Sequence, residues 1–120
     1  MLHTEYYKDG TPCVCDFMGR SFYKSGVLCW ETPWVNNEAH GIEKFYYESG
    51  VMYRETSYVN GRKHGAEMRY YKSGVLMTRT LYVDNRRHGT ENEYYESGDL
   101  KHETVYRRDI QVYSPAENFL

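Results

Sequence analysis

The sequence predicts an all-β fold, an elongated antiparallel array of β-hairpins with about four 24-residue repeats and short caps. The stretch from Glu43 to Gly65 returns almost intact as Glu67 to Gly89, one 24-residue step later. Turn signals recur about every 12 residues, which leaves no room for helices. An aromatic-Tyr-x-Ser-Gly motif occurs at 22–26, 46–50, 70–74 and 94–98, and His-Gly at 40–41, 64–65 and 88–89.

The chain of 120 residues has the length of one domain. We divide it into an N-terminal cap (1–16), the repeats (17–106) and a C-terminal cap or tail (107–120). Tyr6 to Gly10 imitates the Tyr-Tyr-x-Ser-Gly turn out of phase, as atypical end repeats do. At the other end, Arg107-Arg108-Asp109-Ile110 replaces the Asn-Gly turn and Pro115 follows, so further pairing of strands is discouraged.

Each repeat holds two strand-like runs, and each run ends in a turn. Glu48-Ser49-Gly50 predicts a three-residue loop, because its glycine can adopt a positive φ. Asn60-Gly61 is the strongest short hairpin signal. Its counterparts, Asn36-Asn37 and Asp84-Asn85, also tolerate a left-handed backbone.

The alternation of side chains along a strand predicts two distinct faces. A three-residue loop places Tyr47 opposite Val51, and it pairs Phe22–Leu28, Tyr46–Met52, Tyr70–Leu76 and Tyr94–Leu100. The residues of the last four pairs are even-numbered, as are Trp34, Tyr58, Tyr82 and Tyr106. We therefore expect the even-numbered residues to form the core face. Leu76 and Tyr82 should then be more buried than Val75 and Leu81. The odd face would carry Tyr23, Tyr47, Tyr71 and Tyr95, with valines and glutamates.

Composition and charge are consistent with a thin sheet in a cytoplasmic, reducing compartment. Fourteen tyrosines supply apolar area with polar tips, and the formal net charge is only −2. No run approaches the roughly 18 apolar residues of a membrane span. The first residues lack the pattern of a signal peptide. Three cysteines, Cys13, Cys15 and Cys29, indicate no disulfide framework.

The segments Tyr58-Val-Asn-Gly-Arg-Lys-His-Gly65, Tyr82-Val-Asp-Asn-Arg-Arg-His-Gly89 and Trp34-Val-Asn-Asn-Glu-Ala-His-Gly41 resemble the MORN-repeat variant family. This variant occurs in bacterial and viral proteins catalogued as YwqK-type antitoxins. The resemblance covers roughly residues 17–106. It implies an elongated stack of hairpins that serves as a scaffold for partners, with phospholipid binding in some members. The antitoxin label implies occlusion of another protein.

The recurrent histidines do not form a metal site. His40, His64 and His88 occupy equivalent positions two strands apart, about 9.5 Å, whereas ligands of one zinc ion lie about 2 Å from it. A role in supporting the turns is favoured. Cys13, Cys15 and Cys29 lack an evident fourth ligand. We therefore predict neither metal nor cofactor.

Paired carboxylates are the feature closest to an active site. Three-residue loops would place Glu43 opposite Glu55, Glu91 opposite Glu103 and Arg79 opposite Glu67. Such pairs recur in several repeats, whereas a protein usually has a single active site. We therefore interpret these glutamates as solvated acids. The sequence has neither a phosphate-binding glycine loop nor a nucleophile elbow. We predict that the protein is not an enzyme.

Two sets of residues are candidates for partner binding. Tyr47, Tyr71 and Tyr95 would present a tyrosine ladder, and Arg62, Lys63, Arg86 and Arg87 a basic edge at the Asn-Gly turns. Bracing of the sheet by the tyrosines and solubility from the charges remain alternatives. We expect a protein partner that the chain occludes, as an antitoxin-like, immunity or virus-encoded inhibitor. Peripheral binding to anionic membrane is the alternative, nucleic acid is disfavoured by the acidic sheet body, and the oligomeric state is open.

The first testable prediction is that folding needs neither a metal nor a disulfide. The melting temperature should be the same with and without EDTA, and with and without a thiol reductant. A drop of several degrees with EDTA would contradict the prediction.

Overall fold

A computed structural model defines the backbone of residues 3–6, 12–15 and 19–113 and the side chains of residues 19–112. These parts of the chain form thirteen strands and no helix. The strands are β1 (His3–Tyr6), β2 (Pro12–Cys15), β3 (Arg20–Phe22), β4 (Leu28–Glu31), β5 (Trp34–Val35), β6 (Glu38–Ala39), β7 (Gly41–Tyr46), β8 (Met52–Val59), β9 (Arg62–Tyr70), β10 (Leu76–Val83), β11 (Arg86–Tyr94), β12 (Leu100–Arg107) and β13 (Ile110–Tyr113).

The strands form an open antiparallel meander, which confirms the predicted fold class. Eleven of them make one sheet in the order β1-β2-β3-β4-β7-β8-β9-β10-β11-β12-β13, and β5 and β6 pair separately. The molecule is elongated, with extents of 55 × 34 × 21 Å. β5 separates from β4 at Thr32-Pro33 because proline has no N–H to donate to a ladder. The N-terminal hairpin extends the sheet, whereas residues 7–10 and Pro115 lie outside the described residues.

The Ser-Gly loops have the predicted three-residue geometry. The Tyr47 N–H donates to the Val51 carbonyl at 2.7 Å, and the Gly50 N–H donates back to the Tyr47 carbonyl at 2.9 Å. Gly50 has a φ of +92°, in the region that favours glycine. Tyr47 and Val51 therefore lie opposite each other, as expected.

The Asn-Gly turns have positive φ at both central residues, which matches the twist of the flanking strands. The φ values are 50° and 79° at Asn60 and Gly61, and 48° and 71° at Asp84 and Asn85. Arg108 and Asp109 adopt 51° and 69° as well. The segment where the sequence indicated a replaced turn thus keeps the turn geometry.

A bulge directly after each Ser-Gly loop makes the predicted face assignment wrong. Tyr46 pairs with Met52 as predicted, but its neighbour Phe45 pairs with Arg54, so Tyr53 is an extra residue. Equivalent shifts occur at Cys29, Met77 and Lys101. An extra residue exchanges the two faces of a strand. Leu28, Met52, Leu76 and Leu100 therefore lie on the opposite face from Tyr58, Tyr82 and Tyr106.

The same shift separates the carboxylates that the sequence placed together. Glu43 pairs with Thr56, whereas Glu55 pairs with Lys44. Further along, Glu91 pairs with Thr104 and Glu103 with Asn92, and Arg79 lies opposite Met68. The predicted oppositions Glu43–Glu55, Glu91–Glu103 and Arg79–Glu67 are wrong because each assumed a ladder without a bulge.

The burial is polar, which corrects the expectation of an apolar core face. We call the face that carries Thr56, Thr80 and Thr104 the threonine face, and the opposite one, which carries Val59 and Val83, the valine face. The three threonines and Glu67 are buried, whereas Trp34 and Leu100 are 56% and 52% exposed. Val75, Leu76, Leu81 and Tyr82 are all half-buried, so their predicted ranking stays a prediction.

A row of alternating threonines and glutamates crosses the centre of the threonine face. The hydroxyl of Thr56 donates to Glu67 Oε2 at 2.9 Å. Thr32 donates to Glu43 and Thr80 to Glu91 in the same way, at 2.7 and 2.8 Å. The three bonds recur at intervals of 24 residues. Each one joins a threonine of one hairpin to a glutamate of the next, so these polar groups have hydrogen-bond partners where they are buried.

Glu67 is the most strongly held acid of this row. Lys63 Nζ lies 2.9 Å from its Oε2, and Arg69 lies 3.5 Å from its Oε1. Burial alone would raise the pKa of Glu67, but the hydrogen bonds from Lys63 and Thr56 and the charges of Lys63 and Arg69 outweigh it and hold the pKa below its usual value. The carboxylate is therefore ionised, and its negative charge stabilises the fold.

The tyrosines of the Ser-Gly motif join one repeat to the next. The hydroxyl of Tyr23 donates to the carbonyl of Tyr46 at 2.6 Å, and Tyr47 and Tyr71 donate to the carbonyls of Tyr70 and Tyr94 at 2.7 Å. Each bond connects residues 23 positions apart and places a tyrosine ring across the junction between two hairpins.

The state of Glu67 predicts acid destabilisation. Because its folded pKa lies below its ordinary value of 4.5, its contribution is complete above that pH and is lost as the pH falls through the folded pKa. Glu67→Gln should lower the free energy of unfolding at pH 7 by about 1–3 kcal/mol and flatten its dependence on pH below about 5. Urea denaturation between pH 3 and 7 measures both effects. Glu93→Gln is the control and should change little, because the Glu93 side chain is 42% exposed, against 5% for Glu67.

The tyrosine junctions predict a measurable contribution from one hydroxyl. Tyr71→Phe should lower the free energy of unfolding by about 1 kcal/mol, because it removes the hydrogen bond to Tyr94 and keeps the ring. Tyr71→Leu removes the ring as well and should cost more. Thermal or urea denaturation compares the two variants with the wild type. Equal stability of Tyr71→Phe and wild type would show that this junction does not depend on the hydroxyl.

Candidate functional site

The stacked turns at one edge of the sheet form the candidate site. We call this surface the turn edge; it consists of residues 35–38, 59–62, 83–86 and 107–110. The last three turns each donate a backbone hydrogen bond to the preceding hairpin. The donors Gly61, Asn85 and Asp109 reach the carbonyls of Ala39, Lys63 and Arg87 at 2.8, 2.9 and 2.8 Å. Stacking therefore fixes the spacing of the turns.

Side chains of the turns reinforce this stacking. Asn85 Oδ1 accepts the Lys63 N–H at 2.8 Å, and Asp109 Oδ1 accepts the Arg87 N–H at 2.7 Å. The amide and guanidinium of Arg87 hold the pKa of Asp109 below its usual range. His40 Nδ1 accepts the Asn60 N–H at 3.2 Å, which gives this histidine the turn-supporting role expected from the sequence.

The four predicted basic residues divide between the two faces. Arg62 and Arg86 pair with Val59 and Val83 in the register, so they lie on the valine face, and both are exposed. Lys63 and Arg87 lie on the threonine face. Lys63 holds Glu67 and lies 4.9 Å from the ring centre of Tyr82. Arg87 contacts Asp109 at 3.1 Å and lies 4.2 Å from the ring centre of Tyr106.

The predicted tyrosines lie at the other edge of the sheet. Tyr71 directly follows the nine-residue strand β9, which begins at Arg62, so about 26–30 Å separates the two ends. Tyr47 and Tyr71 use their hydroxyls between repeats, whereas Tyr95 is exposed and has the Lys101 ammonium 5.7 Å from its ring centre. The structure thus does not bring the tyrosines and the basic residues together. The part of either set in binding stays a prediction.

Sequence reasoning missed the apolar residues of the turn edge. In each of these four turns, the two residues that flank the central pair face each other across the strands, and one of them is apolar and the other charged. The pairs are Val35–Glu38, Val59–Arg62, Val83–Arg86 and Ile110–Arg107. The apolar members are 51%, 40%, 43% and 67% exposed in that order. Val35, Val59 and Val83 each directly precede an Asn or Asp, and this recurrence is the sequence signal that could identify them.

A shallow groove runs between neighbouring turns. It is lined by Glu38, Val59, Asn60, Arg62 and Asp84. Both signs of charge therefore flank an exposed valine, and the edge is less uniformly basic than its arginines alone suggest. Such a surface can bind a partner of complementary shape and charge.

Within the described residues, no group of three or more His, Cys, Asp and Glu side chains could hold a metal ion. The same part of the chain contains no helix long and apolar enough to cross a membrane.

Comparison with known families matches the chain to a model described as the MORN repeat variant. The matches cover residues 39–60, 63–84 and 87–108, which together make up more than half of the chain. Each match starts on the residue just after a turn and runs to the next turn, in agreement with the observed hairpins. No curated protein matches the chain significantly. MORN repeats commonly mediate interactions with proteins or membranes. On this match and this architecture, the chain belongs to the MORN-repeat variant family.

Proposed function

We propose that this protein is a non-catalytic module that binds another protein through its turn edge and occludes it, in the manner of an antitoxin, immunity protein or viral inhibitor. The observation that supports the proposal is the series of exposed apolar–charged pairs, one for each stacked turn.

The turn edge has the physical properties of a binding surface. Its apolar residues are held by tight turns, and the turns are joined by backbone hydrogen bonds, so little ordering is needed on binding. Exposed arginines next to apolar side chains are typical of binding hot spots. Arg62 and Arg86 are the members of the predicted basic set that fit this role best.

A protein partner is favoured over an anionic bilayer by the acids of the same edge. Glu38, Asp84 and Asp109 are interleaved with the arginines. A negative membrane surface attracts clustered basic residues and repels such acids. A protein can present a complementary arrangement of both charges, so the mixed pattern favours a protein.

Catalysis has little support from the glutamates of the threonine face. MORN-repeat proteins are generally non-catalytic binding modules. The glutamates of the threonine face lie between threonines, and Glu67 is held by Lys63 and Arg69. We therefore propose that binding alone is the activity.

The proposal is tested by quantitative capture from host extract. Wild-type protein is compared with the double variant Val59→Asp/Val83→Asp and with Ser49→Asp/Ser73→Asp, which adds the same charges at the opposite edge. We expect the turn-edge variant to retain at least about 10-fold less of one specific protein, a loss of roughly 1.4 kcal/mol or more, and the control to retain it normally. All three proteins should show the same circular dichroism spectrum.

Vesicle flotation provides the contrasting measurement. Binding of wild type to vesicles with phosphatidylserine, abolished by Arg62→Gln/Arg86→Gln, would overturn the protein-binding proposal in favour of a membrane adaptor. Equal loss of the captured protein in the turn-edge and control variants would also overturn it.

A further inference from the structure

Three residues occupy one equivalent backbone position in successive repeats: Ala39, Lys63 and Arg87. In the register they pair with Trp34, Tyr58 and Tyr82. Their carbonyls accept the hydrogen bonds from the next turns, at 2.8, 2.9 and 2.8 Å. The strand pairing and the hydrogen bonds from the next turns thus place these three residues at equivalent positions of the backbone.

The two cationic members of this series make the same kind of contact with an aromatic ring. Lys63 and Arg87 each place a positive charge over the aromatic ring 19 residues further on, Tyr82 and Tyr106, at 4.9 and 4.2 Å from the ring centre. Lys63 also contacts the carboxylate four residues ahead, that of Glu67, at 2.9 Å. Lys63 therefore lies in a cradle for a cation, made of an aromatic ring and a carboxylate. Arg87 lies over the equivalent ring but contacts the carboxylate of Asp109, at 3.1 Å.

At Ala39 the cradle is present but the side chain is a methyl group. The corresponding ring is Tyr58, and the corresponding carboxylate is Glu43. Gly41 pairs with Tyr58 just as Gly65 pairs with Tyr82. Glu43 Oε2 accepts the hydroxyl of Thr32 at 2.7 Å, as Glu67 Oε2 accepts that of Thr56. The ring and the carboxylate thus hold the positions that bind the lysine in the next repeat.

We propose that the cradle formed by Tyr58, Glu43 and Ala39 is a binding site for the cationic end of a lysine or arginine side chain supplied by a partner protein. Cations are attracted to the face of an aromatic ring within about 6 Å of its centre, and a partly buried carboxylate next to it strengthens the attraction.

Glu43 supplies the negative charge of the cradle. Glu38 pairs with Val35 and lines the groove of the turn edge, so it lies on the other face of its strand from Ala39. Arg54 lies 3.7 Å from Glu43 Oε1, but its guanidinium lies over the Phe45 ring at 4.2 Å, in the row on the other side of Glu43 from Tyr58. It does not replace a cation over Tyr58.

The Trp34 side chain, whose residue pairs with Ala39 in the register, lies against Gly19. A Cβ atom built on Gly19 would lie 2.8 Å from the Trp34 Nε1. Gly19 precedes β3, which lies on the opposite side of β4 from β7 in the sheet. Tyr58 is half-buried, so part of its side chain is in contact with solvent.

The partner class follows from this chemistry. A primary ammonium or a guanidinium at the end of an alkyl stem has the length and charge that Lys63 and Arg87 already show in the chain. The site lies on the threonine face, whereas Val59 and Val83 lie on the valine face, so this inference and the proposed function can fail separately.

The site is tested first with small probes, which need no knowledge of the partner. N-acetyl-lysine methylamide and N-acetyl-arginine methylamide are titrated into isotopically labelled protein, with N-acetyl-norleucine methylamide as the neutral control. We expect saturable amide shifts at residues 39–43 and 58 with either cation and none with the control. The same titration of Ala39→Lys should show no such shifts, because the variant carries its own cation. Shifts spread evenly over acidic residues, or shifts that persist in Ala39→Lys, would overturn the inference.

A stability cycle provides the second test. Ala39→Lys should raise the melting temperature by about 2–5 °C more than Ala39→Met, which adds a similar stem without charge. In a Glu43→Gln background, the advantage of lysine over methionine should fall by at least half. Equal melting temperatures for the two variants at position 39, or an advantage unchanged by Glu43→Gln, would show that the cradle does not recognise charge.

Discussion

The whole structure depends on the constraint that the described sheet is a single layer and must cover its own side chains. A two-layer protein buries leucines against a second sheet or a helix. Here the central row of the threonine face is covered by the long side chains on either side of it, and that row holds threonine and glutamate. Polar residues suit this place because each finds its partner one strand away, as Thr56 does in Glu67. The hydrogen bonds make the burial of these groups tolerable, and the repeat makes them available at every junction.

The bulge after each Ser-Gly loop determines which residues share the row. Without Tyr53 as an extra residue, Glu43 would face Glu55, and like charges would meet across the strands. With it, Glu43 meets Thr56, and Glu55 instead accepts the hydroxyl of Tyr70 at 2.9 Å. That hydrogen bond and burial raise the pKa of Tyr70 to about 12, with burial the larger cause. In this hairpin and in the one with Glu91 and Glu103, one inserted residue therefore replaces a pair of like charges by a glutamate opposite a threonine.

The bulge determines how much of the structure could be predicted from the sequence. The 24-residue period and the turn chemistry of Asn60-Gly61 and Ser49-Gly50 specify local backbone geometry, so the meander, its turns and the pairing next to each loop were predictable. The bulge has no compositional signal of its own: Cys29, Tyr53, Met77 and Lys101 share nothing but their phase. A parity argument cannot detect it, and one undetected residue exchanged the faces. The basic edge was predictable as a set, but its division into exposed Arg62 and paired Lys63 depends on side-chain partners that only three dimensions supply.

Departures from the repeat are where this architecture has freedom to bind. A residue that recurs in every hairpin, such as the threonine of the central row, is required by the stack, and a change there would propagate to its neighbours. The β5–β6 hairpin departs clearly from the repeat. Pro33 occupies the position at which Ser57 and Leu81 continue their strands, and Ala39 occupies the position of Lys63 and Arg87. Proline releases the short β5–β6 hairpin from the main ladder, and alanine supplies no cation to Tyr58, whereas Lys63 and Arg87 contact the equivalent rings of Tyr82 and Tyr106. Pro33 directly precedes β5 and Ala39 ends β6, so both changes lie at the base of this short hairpin. The stack tolerates them because the turn bond from Gly61 to Ala39 uses only backbone atoms, so the scaffold persists while the surface of this hairpin differs from the rest.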